Sequence, residues 1–368
     1  MHVLYFSRDY TPHDNRFLTA LAGSEYQVSY LRLERGRHLK EQRELPNHVE
    51  LVSWMGGESP YRSYNAVRLL TDLKRVIREI QPEIIHAGPI PDVGLLAALT
   101  AFRPLVSMSW GSDLLCDVDR SRWSKWAASY TLKRSSVMIG DCNAVRQKAI
   151  SLGFPSERIV IFPWGVDLRH FIPRESSVKQ ELDWADFFVL LSTRSWEPIY
   201  GVDIVARGFV EAAQKRDDLR LLILSGGSQS DLLKRIFIEA DVMDRVHFAG
   251  QVKLEDLPMY YRAADVYVSA SHSDGSSVSL MEALACGCPA LVSDIPGNRE
   301  WIEHEKQGWL FGDGDVNGLA SAMIHAVQER TKLPEMAAEA RSLAEERANW
   351  EANTQVLLQA YALALQNG

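Results

Sequence analysis

The chain has 368 residues, and its content of 46% hydrophobic and 24% charged residues is ordinary for a soluble globular protein. This length predicts two domains with sizeable cores that need neither disulfides nor structural metals. The formal net charge of −8 argues against a general nucleic-acid-binding protein, although it leaves room for a local basic patch.

The N-terminus and the apolar runs indicate where the protein works. The first residues lack a basic region followed by an apolar core, and no apolar run approaches the about 20 residues that span a bilayer. We therefore expect a cytoplasmic protein, with peripheral contact at the inner face of the membrane as a further option. Residues 31–43 carry four arginines and one lysine. We interpret them as a solvated loop, the alternative being contact with an anionic acceptor or a membrane surface.

Short apolar runs rich in β-branched and aromatic residues alternate with longer amphipathic stretches along the chain. The predicted strands are 2–6, 83–87, 104–108, 137–139 and 158–161 in a first series, then 187–191, 221–224, 246–248, 266–268 and 289–292 in a second. The clearest predicted helices are 64–80, 201–214 and 230–240. Strands alternating with helices predict parallel sheets built from βαβ units. Two series predict two doubly wound Rossmann-like α/β domains facing across a cleft.

The break between the two series falls within residues 167–184, which have no steady apolar period. We place the domains at 1–170 and 171–348, and predict that residues 349–368 form a helix that packs back on the N-terminal domain. Open parallel sheets bind ligands beyond the carboxyl ends of their strands. The active site is therefore expected between the two domains.

The most informative motif is DGSSVSLMEALACGCPA, at residues 274–290, which follows a predicted strand and opens a helix. Small residues at Gly275, Ser276 and Ser277 let the backbone approach a ligand. Their amides and that of Val278 would point from a helix N-terminus, which is a ready site for an anion such as a diphosphate.

Two acidic residues accompany this loop. Asp274 lies at its entry, and Glu282 lies two turns into an otherwise apolar helix. Carboxylates accept hydrogen bonds from hydroxyls, so these positions suit the hydroxyls of a sugar or a ribose. The simpler interpretation is that Asp274 and Ser276 only cap the helix. Capping does not explain Glu282.

The motif resembles the signature of the retaining family-4 (group 1) glycosyltransferases, which have two Rossmann-like domains in the GT-B arrangement. That signature is an acidic residue, seven others, Glu-Ala, and a closing Ala-x-Gly-x-Pro. Here it is Asp274, then Glu282 and Ala283, then ACGCP at residues 285–289. The family usually has Glu at the first position, and Asp274 is one methylene shorter.

The resemblance extends over most of the chain. IFPWGVD at residues 161–167 is similar to the end of the family's first domain, and LILSGG at residues 222–227 to its glycine turn. VHFAGQV and YYRAADVYVSAS resemble two further family segments. The resemblance implies that Gly226, Gly250 and Val252 lie at the donor, the last two near the nucleotide base.

Arg194 stands where the family has an arginine that binds the donor diphosphate. The family often adds a Lys just before a Gly, but this chain has Tyr200 before Gly201, with the spacing one residue longer. The second cation is therefore missing from its usual place. Arg299 and Lys253 are candidate substitutes, and we place Tyr200 among the sugar-cleft residues.

Candidate acceptor or sugar contacts lie in the first half of the chain. SWGSD resembles the family's loop in which a His lies beside the donor sugar, but Trp110 occupies that position, with Asp113 as a polar neighbour. A Trp either stacks on a sugar or fills the core. His13, Arg16 and His86 are further candidates, the alternative for each being a hydrogen-bonding role at a loop corner.

Metal ligation is not expected. Cys116, Cys142, Cys286 and Cys288 contain no Cys-x-x-Cys pair, so we expect reduced thiols rather than a zinc site. An Asp-x-Asp tripeptide at residues 117–119 mimics the metal motif of another glycosyltransferase fold. In a chain patterned as two doubly wound domains we interpret it as a solvated or capping pair.

The resemblance implies a metal-independent retaining hexosyltransferase, with no cofactor beyond its nucleoside-diphosphate sugar substrate. Arg194 and the loop amides would stabilise the leaving diphosphate, Asp274 would orient the donor sugar and Glu282 the ribose. The first domain would take a carbohydrate, lipid-linked or small-molecule acceptor, as in polysaccharide or glycolipid biosynthesis. The alternatives are a nucleotide-sugar epimerase or phosphorylase on the same fold, and a degenerate nucleotide-sugar-binding protein.

Overall fold

The computed structural model describes residues 1–33, 43–58 and 65–368. Most of the basic segment at residues 31–43 lies outside these ranges. The chain forms two compact units, one of Met1–Phe162 with Thr354–Gly368 and one of Pro163–Asn353. In the described part of the chain, no helix combines the length and apolarity needed to cross a membrane.

Each unit contains one parallel β-sheet. The strand order is β3-β2-β1-β4-β5-β6-β7 in the first unit and β10-β9-β8-β11-β12-β13 in the second. The strands are β1 (His2–Ser7), β2 (Gln27–Arg32), β3 (Val49–Leu51), β4 (Ile84–Gly88), β5 (Leu105–Met108), β6 (Val137–Gly140), β7 (Ile159–Ile161), β8 (Phe188–Ser192), β9 (Leu219–Leu224), β10 (Val246–Gly250), β11 (Val266–Ser269), β12 (Ala290–Ser293) and β13 (Gly308–Phe311).

In the part of the chain that the structure describes, helices lie between all consecutive strands except β2 and β3, and parallel pairing requires such crossover connections. They are α1 (Pro12–Ala22), α2 (Met55–Glu58), α3 (Ala66–Ile80), α4 (Leu95–Leu99), α5 (Ser112–Leu115), α6 (Arg122–Arg134), α7 (Asn143–Ser151), α8 (Val178–Glu181), α9 (Val202–Ala213), α10 (Ser230–Glu239), α11 (Leu257–Ala263), α12 (Val278–Ala285), α13 (Pro296–Arg299), α14 (Val316–Gln328), α15 (Leu333–Arg347) and α16 (Trp350–Gln366).

The second sheet is buried on both faces, which explains the unbroken apolar runs of its strands. In β8, Phe188 and Leu190 face one core layer, together with residues of α9 and α14. Val189 and Leu191 face the opposite layer, together with residues of α12 and α15. Because successive side chains of a strand point to opposite faces of the sheet, β8 contributes to both core layers.

Every predicted strand is present, with its ends shifted by one or two residues, and the three predicted helices correspond to α3, α9 and α10. Three strands were not predicted. β3 is a short, largely exposed edge strand, β13 has only four residues, and β2 runs into the basic segment that we interpreted as a loop. Each lacks the long apolar run that identifies a buried strand.

The units divide after Phe162 rather than at the predicted residue 170. The physical reason is a short parallel bridge between Val166 and Asn349. The Val166 N–H donates to Ala348 O over 2.7 Å, and the Trp350 N–H donates to Val166 O over 3.2 Å. These bonds place residues 163–166 with the second unit.

Candidate functional site

The second sheet reverses its strand order between β8 and β11, which are paired near its centre. Such a switch point opens a crevice at the carboxyl ends of the two strands. Arg194 follows β8, and the loop at residues 274–277 follows β11. The topology therefore brings together two segments that are about eighty residues apart in the chain.

Arg194 is the centre of this arrangement. Its Nη2 lies 2.8 Å from Asp274 Oδ2, and both side chains are largely buried, with exposed fractions of 12% and 19%. Its Nη1 donates to the hydroxyls of Ser277 and Ser279, over 3.0 and 3.1 Å. The Tyr267 hydroxyl lies 2.8 Å from Ser279 Oγ. The guanidinium is thus held by one carboxylate and two hydroxyls.

Tyr200 contacts the same guanidinium by its ring, whose centroid lies 4.0 Å from Arg194 Cζ. This is cation–π geometry. The following Gly201 has φ +57°, and a Cβ there would lie 2.2 Å from the carbonyl oxygen of Ala270, so the backbone next to Tyr200 requires glycine. Where the family often has a second cation, this chain places an aromatic ring over the first one.

Burial and charge oppose each other in the Asp274–Arg194 pair. Burial raises the pKa of Asp274, although the Arg194 charge acts in the opposite direction. Burial lowers the pKa of Arg194, but the Asp274 carboxylate raises it. The resulting pKa of Arg194 lies above its ordinary value. Each ion is tolerated in this site because the other accompanies it, since an unpaired buried charge is costly.

The loop after β11 leads directly into α12. Ser277 is the N-cap residue, and its hydroxyl accepts the Leu280 N–H over 3.4 Å. The Ser276 hydroxyl instead accepts from Trp301 Nε1 over 3.2 Å. The simpler expectation that Asp274 and Ser276 cap the helix is therefore wrong in its residues, because Ser277 does so.

Glu282 is buried within α12. The Tyr261 hydroxyl donates to its Oε2 over 2.8 Å and lies 3.0 Å from the Thr193 hydroxyl. Burial and the nearby Glu282 charge raise the pKa of Tyr261, which keeps this phenol a hydrogen-bond donor. Glu282, which has no capping role, therefore belongs to a series of hydrogen-bonded side chains. The series ends at Thr193, the residue before Arg194.

Sequence reasoning missed Gly297, the second residue of α13. A Cβ at this position would lie 2.4 Å from the Gly275 carbonyl oxygen and 2.5 Å from that of Asp274. Only glycine allows α13 to approach the loop this closely. The signal in the sequence was the Pro-Gly pair at residues 296–297, in the loop that follows the predicted strand that became β12.

The other predicted donor residues lie at the ends of β9 and β10. Gly250 ends β10 with φ +68°, at a shift in strand register, and its carbonyl accepts the Ser225 N–H over 2.6 Å. A Cβ on Gly226 would meet open space. Val252 packs partly buried against the core layer beside α12.

The two candidate substitutes for the missing Lys differ. Arg299 makes a two-pronged contact with the Asp294 carboxylate, with distances of 2.5 and 2.9 Å. Its charge is therefore already paired. Lys253 is exposed.

In the first unit, Asp113 ties two loops together. Its carboxylate accepts the Ile90 and Trp110 N–H groups, each over 2.9 Å, and the Ser109 hydroxyl over 2.6 Å. Burial raises its pKa to about 6 despite these bonds. Its position and bonding are those of a loop-fixing residue beside Trp110.

Trp110 and α1 come together in the first unit. The Trp110 ring lies 5.5 Å from the His13 ring and 6.0 Å from the Phe17 ring, measured between centroids. His13 and Arg16 are both half-buried. The structure therefore groups Trp110 with His13 and leaves both accessible in part.

His86 does not belong to the group formed by Trp110 and His13. It lies inside β4, fully buried, with Nδ1 2.6 Å from the Tyr361 hydroxyl and Nε2 3.3 Å from Met108 Sδ. Burial lowers its pKa to about 3. The interpretation of His86 as a residue facing the cleft is corrected: it is a core histidine.

The Asp-x-Asp tripeptide is part of a short 3-10 helix. Asp117 pairs with Arg120 over 3.0 Å, and Asp119 with Lys148 over 2.5 Å. Both carboxylates are therefore engaged by basic side chains.

Comparisons with known proteins agree with this architecture. A family described as "Glycosyl transferases group 1" matches residues 185–329, and one described as "Glycosyl transferase 4-like" matches residues 2–141. The HepE protein of Anabaena, solved with UDP, superposes with a TM-score of 0.82, covering 98% of this chain and 100% of that one at 20% identity. The same protein was also solved with UDP-glucose. The likeness shows a GT-B fold of two Rossmann-like sheets.

Two curated relatives are similar in sequence. A D-inositol 3-phosphate glycosyltransferase of Thermobispora bispora is 28% identical over 223 residues, covering 58% of this chain and 52% of the relative. A GDP-mannose-dependent alpha-(1-6)-phosphatidylinositol monomannoside mannosyltransferase of Mycolicibacterium smegmatis is 24% identical over 300 residues, covering 77% of this chain and 76% of the relative. The chain thus spans about half the length of the first relative and three quarters of the second.

Proposed function

Because this chain belongs to the group 1 glycosyltransferases, we propose that it moves a hexosyl group from a nucleoside-diphosphate sugar to an acceptor hydroxyl. We further propose that the anomeric configuration is retained and that no metal ion takes part. The observation that carries this proposal is the buried Arg194, held beside the N-terminus of α12 by Asp274, Ser277 and Ser279.

The proposed hexosyl transfer requires stabilisation of the departing diphosphate. Fixed cations and backbone dipoles serve this purpose where water is excluded, because they need no rearrangement as negative charge develops. Arg194 supplies the cation, and the amides from Gly275 to Val278 supply the dipoles at a helix N-terminus. These groups replace the metal ion in the proposed reaction.

The remaining groups bind sugar hydroxyls. Asp274 accepts hydrogen bonds from the donor sugar while its charge stays paired with Arg194. Glu282, oriented by Tyr261, does the same for the nucleotide ribose. Gly226 lies at the donor, and Gly250 and Val252 lie near its base. The first unit, with Trp110, His13 and Arg16, takes the acceptor.

The comparisons support two donor bases and two acceptor classes. One relative is named as a GDP-mannose-dependent phosphatidylinositol monomannoside mannosyltransferase, and the HepE protein was solved with UDP-glucose. We propose a uridine or guanosine donor, and a glycolipid or sugar acceptor.

A thermal-shift panel of UDP, GDP and ADP tests donor binding. Ligand at about 100 times its Kd stabilises the folded protein by about 2.7 kcal/mol, so the cognate nucleotide gives the largest rise in melting temperature. The panel is repeated without and with a metal chelator. A shift that vanishes with the chelator contradicts metal independence.

Arg194→Lys tests the role of the guanidinium, because lysine keeps the charge but loses the forked donor geometry. We expect turnover of the cognate donor to fall by about 100-fold or more, the effect of removing one oxyanion-type donor. Arg299→Lys is the matched control and keeps wild-type turnover. Unchanged turnover in Arg194→Lys contradicts the assignment. Conversion of donor without acceptor would instead indicate an epimerase, and tight nucleotide binding without any turnover a binding protein.

A further inference from the structure

Helix α6 of the first unit has an inverted distribution of side chains. Its buried face consists of the small or aliphatic residues Ala127, Ala128, Thr131 and Leu132. Its largest apolar side chains lie on the opposite, solvent-facing side. A surface helix normally buries its large apolar residues, so this pattern needs a reason outside the core.

The two exposed tryptophans and one partly buried tyrosine form a stack, which we name the α6 ladder: Trp123, Trp126 and Tyr130, of which Tyr130 also packs against the core of the first unit. The rings of Trp123 and Trp126 are stacked with centroids 4.7 Å apart, and those of Trp126 and Tyr130 with centroids 5.4 Å apart. Trp123 is 64% exposed and Trp126 is 47% exposed. The spacing of three and four residues places all three on one helix face.

Cations surround the α6 ladder. The helix contains Arg122, Lys125, Lys133 and Arg134 and no acidic residue, although the chain as a whole has a net charge of −8. All four are exposed, and none forms an ion pair with a carboxylate in the described part of the chain. Arg134 instead lies over the Tyr130 ring, 5.6 Å from its centroid. In the turn that precedes α6, Asp119 is paired with Lys148, which lowers the pKa of Asp119 with a smaller contribution from Lys125 of α6.

We infer that the α6 ladder and its cations are a docking surface for an anionic lipid membrane. Trp and Tyr favour the water–membrane interface, because an apolar ring and a polar group are satisfied there together. Lys and Arg beside them attract anionic headgroups. The charge of this helix is complementary to such a surface.

The geometry disfavours other occupants. A sugar stacks on an open ring face, but the Trp126 ring is stacked with both Trp123 and Tyr130, which leaves only the outer side of Trp123 for such a contact. A second copy docked through the same helix would bring eight cations together without a counter-charge, since each copy contributes four. Edge-on insertion of stacked rings among lipid headgroups meets neither obstacle.

Vesicle flotation of the full-length chain tests this inference. The vesicles are phosphatidylcholine alone or an equal mixture of phosphatidylcholine and phosphatidylglycerol. We expect flotation with the anionic mixture and not with phosphatidylcholine, and loss of flotation at about 1 M salt, where screening acts within about 3 Å.

Two variants separate the contributions of the rings and the charges. Trp123→Ala/Trp126→Ala and Arg122→Glu/Lys125→Glu/Lys133→Glu are each expected to lower the vesicle partition coefficient by about tenfold or more, since one cation near an anionic surface contributes about fivefold. The matched control is Lys234→Glu/Arg235→Glu/Ile238→Ala on α10, whose Ile238 is 62% exposed. It is expected to float like the wild type.

The melting temperature and its rise with nucleotide confirm that each variant is folded. A second readout uses the wild type, in which lipid-attached quenchers are expected to reduce Trp fluorescence more than in Trp123→Phe/Trp126→Phe. The inference is overturned if the wild type does not float, if it floats equally with phosphatidylcholine, or if the α6 variants float like the control. It is also overturned if the variants abolish a dimer instead, because α6 would then be an interface between copies.

Discussion

At the scale of single residues, the candidate site depends on how one guanidinium is held. Arg194 contacts Asp274 and two hydroxyls through its terminal nitrogens, and Tyr200 covers its face. These contacts fix both the position and the plane of the cation. A preorganised cation stabilises developing charge better than one that must move.

This leads to a prediction for Tyr200. Tyr200→Leu keeps an apolar side chain but removes the ring, and a cation–π contact in a desolvated site contributes about 2 kcal/mol. We expect kcat of the cognate donor to fall by about tenfold to thirtyfold with a smaller change in KM, because the ring positions a group that acts on the leaving diphosphate.

Tyr200→Phe is the control, because it retains the ring face and loses only the hydroxyl. Its kcat is expected to stay close to that of the wild type. Equal losses in the two variants would assign the effect to the hydroxyl, and no loss in either would show that the ring over Arg194 is dispensable.

At this scale the sequence singled out residues that the structure brings together, but not how they are paired. Asp274 and Arg194 were identified separately, one as a sugar ligand and the other as a phosphate ligand. Their ion pair joins positions about eighty residues apart and depends on the pairing of β8 with β11. Local sequence carries no information about such a contact.

At the scale of elements, the neighbouring helices fix the conformation of the loop at residues 274–277, here called the donor loop. α12 begins at the capped Ser277, and α13 approaches the same loop so closely that Gly297 has no room for a side chain. The loop therefore sits between two helix N-termini. Its backbone conformation is fixed by packing more than by its own residues.

We predict that Gly297→Ala impairs the donor site. The new Cβ would lie 2.4 Å from the Gly275 carbonyl oxygen, so the loop or α13 must shift. A shift of about 1 Å at a catalytic group is enough to lower the rate by about 100-fold. Turnover of the cognate donor and the nucleotide-induced rise in melting temperature are both expected to decrease.

Gly314→Ala serves as the control for lost stability. Gly314 also lies in the second unit, at φ +72°, but a Cβ there would meet open space. Adding a side chain at positive φ costs about 1 kcal/mol without touching the donor loop. Gly314→Ala should therefore lower the melting temperature and retain turnover. If Gly297→Ala has the same turnover as Gly314→Ala, the close approach of α13 has no functional role.

At the scale of the whole molecule, the chain crosses from one unit to the other twice. Residues 354–368 rejoin the first unit, where Leu357, Ala360, Tyr361 and Ala364 of α16 are buried. The Tyr361 hydroxyl bonds His86 in the centre of the first sheet. The end of the chain is therefore part of the first unit's core.

This burial predicts a pH dependence of stability. The pKa of His86 is lowered to about 3 in the folded state, below its ordinary value of about 6.5. The unfolded state therefore binds the proton first as the pH falls. The His86 contribution to stability is fully present above about pH 6.5 and is lost toward pH 3, by about 1.4 kcal/mol per pH unit.

Urea unfolding between pH 7 and pH 4 measures this effect, by comparison with His86→Phe, which cannot titrate. Other shifted groups, such as Asp113, are common to both proteins and cancel in the difference. The free energy of unfolding of the wild type minus that of His86→Phe should decrease as the pH falls, because only the wild type loses the His86 contribution. Tyr361→Phe retains the buried imidazole and should follow the wild type. Parallel curves for the wild type and His86→Phe would contradict a neutral buried His86.

The sequence by itself determined the fold class, the two series of strands and the motif that opens α12. These follow from apolar periodicity, small residues and helix capping, which are local properties of the chain. Ten strands with an apolar run were predicted, whereas β2 and β3, which mix polar and apolar residues, and β13, which begins with glycine, were not.

Only the tertiary structure decided the roles within the site. It buried His86 under a helix that begins more than 260 residues later, used Asp113 to tie loops, and paired Arg194 with Asp274 beneath the Tyr200 ring. It also revealed the need for glycine at residue 297 and the exposed aromatic stack on α6. The contacts of His86, Arg194 and Gly297 join distant segments, and such contacts arise only when the strands have taken their order in the sheets. The stack on α6 is local, and its exposure depends on which face of the helix packs on the core.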